Sequence, residues 1–240
     1  MAERVDGMIL TGRREQGLVD IDGQRLAAQA ADAFRRLQLR AREAGFALAI
    51  ASGFRSYERQ LAIFNAKASG ERPVHDDAGA AVDMAALAPR DQLAAILRFS
   101  ALPGASRHHW GSDLDVFDAA AVPADYRVQL TPEEVAPKGV FGPLHAWLDE
   151  RMAADESEGF FRPYDEDRGG VAPERWHLSY APLALAMERA LSPAMLQACW
   201  CAPGCEPRWR EELQADLDSL WQRYVSVPAD WCPEDYRRAP

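Results

Sequence analysis

The stretch of residues 106–115, SRHHWGSDLD, limits the possible folds of this 240-residue chain more than any other part of the sequence. Its second half alternates apolar and acidic residues, and successive side chains of a β-strand point to opposite faces. Leu114 and Val116 are therefore predicted to face the core. Asp113 and Asp115 then face a cleft on the other side of the strand.

A histidine is placed to join one of these carboxylates. His108 stands seven positions before Asp115, and Gly111 between them permits a sharp turn that a straight strand would not allow. The two side chains can therefore converge on one ion.

A second alternating pattern begins at residues 173–180, PERWHLSY. In this pattern His177 points away from the aromatic face, and Pro173 excludes a helix interior. Glu174 is therefore predicted at the entrance of a strand beside the same cleft.

These residues form the donor set of a catalytic zinc site. Such sites use three protein ligands and leave a further position for water, whose pKa the metal brings near neutrality. His108, Asp115 and His177 supply the ligands for one Zn²⁺ per chain. Glu174 is then the general base that takes a proton from the zinc-bound water and returns it to the leaving amine. The combination predicts a zinc hydrolase.

An arginine completes this set. Residues 46–51 are a short apolar run typical of a buried strand, and residues 57–67 return to helical spacing. Arg55 lies at the junction, where a helix N-terminus favours anions, so it is a candidate carboxylate or oxyanion receptor. The alternative is a surface arginine in an ion pair.

The remaining patterns predict one core with a C-terminal extension. A hairpin or edge strand is predicted within residues 8–23, with a turn at Asp22-Gly23. His145 is predicted on the surface of a helix. Helices are predicted at residues 24–43, 89–99, 144–152, 182–191 and 207–225. Residues 1–198 are assigned to a zinc domain with its motif core at 45–182, and residues 199–240 to a helical, Trp- and Cys-containing extension packed on it. Its cysteines are predicted to be reduced thiols: Cys199, Cys201, Cys205 and Cys232.

The charge balance excludes some partners. The net charge of −10 and the absence of Lys/Arg runs argue against nucleic acid and anionic membranes. No apolar run is long enough for a membrane segment, and the first residues lack a signal-peptide pattern. This predicts a cytoplasmic protein, or a periplasmic or extracellular one if an unrecognised route exports it. The oligomeric state stays open.

Three motifs in this order, SGFRSY at 52–57, SRHHWGSDLD at 106–115 and ERWH at 174–177, resemble the zinc D-Ala-D-Ala carboxypeptidase family of vancomycin-resistance type. The resemblance spans roughly residues 45–182, and it places the chain in the lysostaphin, D-Ala-D-Ala metallopeptidase and hedgehog superfamily. It implies an α+β fold in which helices flank a small antiparallel sheet that carries the zinc site.

The resemblance also implies residue roles. His108, Asp115 and His177 correspond to the zinc ligands and Glu174 to the catalytic base. Arg55 would stabilise the substrate carbonyl or its terminal carboxylate. The peptide contacts implied by the family pattern are Gln60 and Ser106.

One position departs from the family, which commonly has alanine where this chain has Asp113. Because Asp113 is predicted on the ligand face, we expect it to orient an imidazole.

The implied substrate is a peptidoglycan stem peptide or muropeptide, cut by a D,D-carboxypeptidase. An L,D-carboxypeptidase of wall recycling, a peptidoglycan endopeptidase and a non-catalytic zinc-binding domain are the alternatives. Glu174 and Arg55 favour catalysis, because a structural zinc needs a fourth protein ligand and no base.

Overall fold

The computed structural model describes residues 6–227 and 233–237 of the chain. The strands are β1 (Leu18–Ile21), β2 (Gln24–Ala27), β3 (Leu48–Ser52), β4 (Asp113–Asp118), β5 (Phe160–Phe161) and β6 (His177–Tyr180). The α-helices are α1 (Gly7–Leu10), α2 (Ala28–Glu43), α3 (Tyr57–Ala68), α4 (Pro89–Leu97), α5 (Pro132–Val135), α6 (Gly142–Ala153), α7 (Ala181–Ala190), α8 (Pro193–Trp200), α9 (Arg210–Ala215), α10 (Leu217–Leu220) and α11 (Glu234–Arg237). Short 3₁₀ turns lie at Met84–Ala86 and Arg107–Trp110, and a π-helical turn at Trp221–Val225.

An antiparallel sheet of order β3-β4-β6-β5 forms the centre of the molecule. Leu114 and Val116 of β4 have no exposed surface and pack in one cluster with Phe34 and Leu37 of α2. The predicted alternation of β4 is therefore confirmed on its apolar face, and the α+β class is confirmed. The opposite face of β4 is free to carry polar side chains.

The predicted hairpin is formed by β1 and β2, which pair around Asp22 and Gly23. The prediction of a helix from residue 24 is wrong for its first four residues, which form β2. Ala27 donates a backbone hydrogen bond of 2.9 Å to the carbonyl of Gly111, so sheet pairing and this contact hold the segment extended until α2 begins. The hairpin thereby lies against the turn that leads into β4.

A second hydrophobic cluster joins the middle of the chain to its C-terminal part. Trp200, Leu213 and Leu217 are buried there with Tyr57 and Phe64 of α3. Residues beyond 198 therefore contribute to the core, and α8 runs across that position. The division of the chain at residue 198 stays a prediction.

The C-terminal helix predicted at residues 207–225 is wrong as a continuous element. It begins only after Trp209, whose backbone is left-handed with φ 59°, and it is interrupted at Asp216, where φ is −106°. The Asp216 carboxylate accepts a 2.8 Å hydrogen bond from Arg90 of α4. Leu213, Leu217 and Leu220 are nevertheless buried in one hydrophobic cluster.

Two further outcomes concern single residues. His145, predicted on the helix surface, has no exposed surface, because Arg162 covers that side of α6 at 3.3 Å from Nδ1. Cys199, Cys201 and Cys205 are free thiols, and Cys232 lies outside the described residues. No helix within the described ranges has the length and apolar character needed to cross a membrane.

Candidate metal centre

The strand register brings the predicted ligands together. Asp115 of β4 and His177 of β6 are direct cross-strand partners, and His108 comes from the 3₁₀ turn that precedes β4. One ligand atom from each of the three residues lies within 4.8 Å of the other two. All three side chains are buried, so the two imidazoles and the carboxylate are held close together by the surrounding protein.

His108 is held by the segment that precedes α3. Its Nδ1 lies 2.9 Å from the carbonyl oxygen of Gly53, which only accepts hydrogen bonds, so Nδ1 carries the proton. Nε2 is left facing Asp115, with 3.5 Å between Nε2 and Oδ2. Burial lowers the pKa of His108 to about 3, which keeps the ring in the neutral form that a metal ligand requires.

His177 lies between two carboxylates. Its Nδ1 is 3.1 Å from Oδ1 of Asp115, and its Nε2 is 3.0 Å from Oδ1 of Asp113. Burial disfavours the charged ring, but the hydrogen bonds to Asp113 and Asp115 prevail and raise the pKa of His177 to about 9. The two carboxylates therefore favour positive charge at this ring, whether a proton or a metal cation supplies it.

The chemistry of this donor set fits a zinc ion. Imidazole nitrogen and carboxylate oxygen are common zinc ligands, and each imidazole has its second nitrogen occupied by a protein acceptor, as metal-binding histidines usually do. A set of three protein ligands is typical of catalytic zinc sites, whereas structural sites have four.

Glu174 lies at the edge of this cluster. Its Oε2 is 3.8 Å from Nδ1 of His177, and its side chain is 14% exposed. A backbone hydrogen bond of 2.9 Å from Glu174 to the carbonyl of Tyr164 fixes the segment. Burial, reinforced by the charge of Asp115, raises the pKa of Glu174 to about 7, a value suited to a group that takes up and returns a proton near neutral pH.

Arg55 lies on the same side of the site, half-buried, within range of the charges of Asp115 and Glu174. Burial lowers the pKa of its guanidinium. Within residues 6–227 and 233–237 its side-chain hydrogen bonds go to uncharged groups: Nη1 donates to Oε1 of Gln60 at 3.0 Å and Nη2 to Oγ of Ser52 at 3.2 Å. The surface ion pair considered as an alternative is therefore not its environment.

The two predicted peptide contacts are covered by protein. Gln60 has no exposed surface, and its Nε2 donates to the carbonyl of Ala101 at 2.7 Å while Oε1 holds Arg55. Ser106 is 2% exposed and precedes the 3₁₀ turn without capping it through its side chain. In this arrangement Gln60 positions Arg55, and a direct peptide contact by Gln60 or Ser106 stays a prediction.

His109 takes no part in the cluster. Its Nδ1 lies 2.6 Å from the carbonyl oxygen of Arg55, so it locks the Arg55 segment to the 3₁₀ turn. Of these two adjacent histidines, only His108 belongs to the cluster.

Oδ1 of Asp113 lies 3.0 Å from Nε2 of His177, so Asp113 is placed to orient an imidazole, as the sequence predicts. Asp113 shares the face of Asp115 as predicted, but the prediction that it faces a cleft is wrong, because Arg107 covers it and leaves it no exposed surface. Tyr164 places its ring 5.1 Å from the ring of His177. Nothing local in the sequence distinguishes Arg107 from a surface arginine or Tyr164 from a loop tyrosine.

Comparisons with known proteins identify a sequence family and two related proteins. Residues 23–183 match the sequence model of a family described as VanY, D-alanyl-D-alanine carboxypeptidase. One uncharacterized protein of Haemophilus influenzae is 46% identical over 99 residues, which cover 39% of this chain and 68% of the relative. Another from the same organism is 35% identical over 125 residues, covering 52% of this chain and 92% of the relative.

Solved structures share the fold. VanYB in complex with D-alanine-D-alanine superposes with a TM-score of 0.51 at 21% identity, covering 74% of this chain and 84% of that one. A vancomycin-resistance D,D-pentapeptidase VanY in complex with Zn(II) gives 0.50 at 22% identity, covering 73% and 84%.

Proposed function

Because the chain belongs to the VanY D-alanyl-D-alanine carboxypeptidase family, we propose that it is a zinc-dependent carboxypeptidase that removes the terminal D-alanine of peptidoglycan stem peptides. The observation that carries this proposal is the buried cluster of His108, Asp115 and His177 with Glu174 at its edge. The Zn(II) and D-alanine-D-alanine complexes of structurally similar VanY proteins support the choice of metal and substrate.

The metal would be held by Nε2 of His108, a carboxylate oxygen of Asp115 and Nδ1 of His177. When bound, zinc supplies Lewis-acid polarisation and lowers the pKa of coordinated water. All other parts of the reaction fall to side chains of this chain.

Glu174 is the proton carrier in this proposal. Its carboxylate accepts a proton from the attacking water and donates it to the nitrogen of the departing D-alanine. Burial supports this double role, because a carboxyl group with a pKa of about 7 is protonated and deprotonated with little cost near neutral pH.

Arg55 receives the substrate's terminal carboxylate in this proposal. Gln60 and Ser52 hold its guanidinium in one orientation, so little side-chain freedom is lost on binding. The planar fork can then pair with a carboxylate in a partly dry environment.

The test is a digestion experiment. Purified protein with zinc would be incubated with disaccharide pentapeptides and tetrapeptides, and the products would be identified by mass spectrometry. We expect pentapeptides to lose one D-alanine, and the Glu174→Gln variant to turn over several orders of magnitude more slowly while still binding zinc. The exposed Glu133→Gln is the matched control.

Other product patterns would contradict the proposal. Shortening of tetrapeptides alone would identify an L,D-carboxypeptidase, and cleavage within a crosslink an endopeptidase. Zinc binding without cleavage of any of these peptides would identify a binding domain.

A further inference from the structure

A buried ion pair lies directly behind the metal cluster. Nε of Arg107 donates to Oδ1 of Asp113 at 2.8 Å. The Asp113 side chain has no exposed surface, and that of Arg107 is 4% exposed. An ion pair so fully removed from water is costly to desolvate, and its geometry must be well satisfied to be retained.

The carboxylate of Asp113 is directed at a metal ligand. Its Oδ1 also lies 3.0 Å from Nε2 of His177, and its Oδ2 accepts a 2.5 Å hydrogen bond from the hydroxyl of Ser112. Both oxygens are therefore engaged, and neither is open to substrate.

Arg107 is itself fixed from three further sides. Nη2 donates to Oγ of Ser179 on β6 at 2.8 Å, and Nη1 to Oε2 of Glu188 on α7 at 2.9 Å. Its guanidinium carbon lies 4.9 Å from the centre of the Trp110 ring. Asp113 and Ser179 are cross-strand partners. Arg107 therefore connects the 3₁₀ turn to β4, β6 and α7, which together surround His177.

We propose that the Arg107–Asp113 pair is a positioning device that orients His177 with its Nε2 proton toward Asp113, so that Nδ1 is presented to the metal. Both ring nitrogens of His177 face a carboxylate, but the two carboxylates differ in their surroundings. Asp115 belongs to the ligand cluster on the Nδ1 side, where Glu174 also lies, whereas Asp113 is outside the cluster and paired with Arg107. A metal at Nδ1 therefore leaves Asp113 as the acceptor for the proton on Nε2. Arg107 keeps the carboxylate in place. Without it, Asp113 would be a buried charge with hydrogen bonds from Ser112 and His177 alone among the described residues.

This inference rests on the proposed metal site and adds to it. It assigns functional meaning to the aspartate that departs from the family pattern, and to an arginine that the sequence did not single out. Neither residue touches substrate, so both are positioning residues rather than catalytic ones.

The first test is zinc affinity, measured by competition with a chromophoric chelator, in folded protein. Asp113→Asn and Arg107→Met should each weaken zinc binding by about 10–100-fold, the usual effect of removing an outer partner of a metal-binding histidine. The matched control is Asp118→Asn, because Asp118 is a buried aspartate of the same strand whose Oδ1 accepts backbone hydrogen bonds from Ala47 and Ala120, away from the ligands. Asp118→Asn should lower stability without changing zinc affinity.

The second test needs no variant. Nitrogen-15 NMR of the zinc-loaded wild-type protein should show His177 protonated at Nε2 and metal-bound at Nδ1. The opposite assignment would overturn the inference, even if both variants failed to fold. Unchanged zinc affinity in a folded Asp113→Asn protein would also overturn it.

These outcomes are separable from those of the proposed function. If zinc binds and the variants weaken it but no stem peptide is cut, the positioning role stands and the carboxypeptidase does not. If pentapeptides are cut and Asp113→Asn binds zinc as tightly as wild type, the reverse holds. A wild-type protein that binds no zinc overturns both.

Discussion

At the scale of single residues, burial decides what each polar group can do. The proximity of His108, Asp115 and His177 could be predicted because His108 and Asp115 are close in sequence and both β4 and β6 show an alternating pattern. Asp113 could be predicted to orient an imidazole because it shares the face of Asp115, but other partners could not be predicted. Gly53 contacts His108 across 55 positions, and Glu188 contacts Arg107 across 81. Such long-range contacts leave no periodic trace in the sequence.

Arg55 provides a test at this scale. If its guanidinium pairs with the substrate's free C-terminus, amidating a susceptible peptide should lower kcat/KM by about 100-fold or more, because the arginine then loses its countercharge in a partly dry site. Arg55→Lys should not restore the preference, since lysine lacks the planar fork. Equal cleavage of free and amidated peptides would show that Arg55 serves another group.

His145 gives a prediction about pH and stability. Burial, with the neighbouring charges of Arg162 and Arg175, lowers its pKa from the ordinary 6.5 to about 3. Below pH 6.5 the unfolded chain therefore binds a proton at His145, whereas the folded protein does not. The contribution of His145 to the free energy of unfolding is fully present above pH 6.5 and is lost as the pH falls toward 3. Between pH 7.5 and pH 5 the loss through His145 should be about 2 kcal/mol, at 1.36 kcal/mol per pKa unit.

The measurement is urea unfolding at both pH values. A chelator is present in every sample, so that metal binding, which itself depends on pH, does not contribute to the measured stability. His145→Gln should lose about 2 kcal/mol less than wild type over this range. The exposed His75→Gln should behave as wild type. Identical losses in all three proteins would show that His145 titrates normally.

At the scale of secondary-structure elements, the β1–β2 hairpin supports the turn into β4. Gly111 has φ 69°, and a Cβ at this position would lie 2.8 Å from the backbone nitrogen of Ala27 and from Cδ2 of Leu18. The sequence predicted the turn at Gly111 but could not show that β2 packs on it, because residues 24–27 also fit a helical pattern.

Gly111→Ala should therefore lower stability and zinc affinity together, since the turn separates His108 from Asp115. Gly17→Ala is the matched control: Gly17 has a similar φ of 63° but nothing within 4 Å of the added Cβ, so it reports backbone strain alone, of order 1–3 kcal/mol. Calorimetry and chelator competition would measure both effects. A Gly111→Ala protein no worse than Gly17→Ala would show that the hairpin contact is unimportant.

At the scale of the whole molecule, the C-terminal part of the chain supports the loop that leads to Glu174. Arg223 donates from Nε to the carbonyl of Gly169 at 2.6 Å, and its own carbonyl oxygen packs against Gly170. The amphipathic spacing of residues 207–225 indicated a packed helix, but not its interruption at Asp216 or this contact. Both depend on residues far away in sequence, on α4 and on the 165–172 loop.

Gly170→Ala tests this support. Its Cβ would lie 1.9 Å from the carbonyl oxygen of Arg223, so the loop must shift, at a cost of about 1–3 kcal/mol in stability. We expect turnover of a stem peptide to fall while zinc affinity is retained, because the ligands lie on the sheet and its preceding turn. Gly7→Ala, whose Cβ makes only an ordinary 3.9 Å contact with Met195, is the control. Equal turnover in both variants would show that the contact between the C-terminal segment and this loop does not affect catalysis.

The most direct test of the metal centre is the zinc content of the protein after reconstitution and removal of excess metal, determined by inductively coupled plasma mass spectrometry. We expect one zinc per chain in the wild type and in His75→Ala, and substoichiometric zinc in Asp115→Ala and His177→Ala, with all four proteins folded by circular dichroism. A folded wild-type protein without stoichiometric zinc, or full zinc content in Asp115→Ala and His177→Ala, would contradict this expectation.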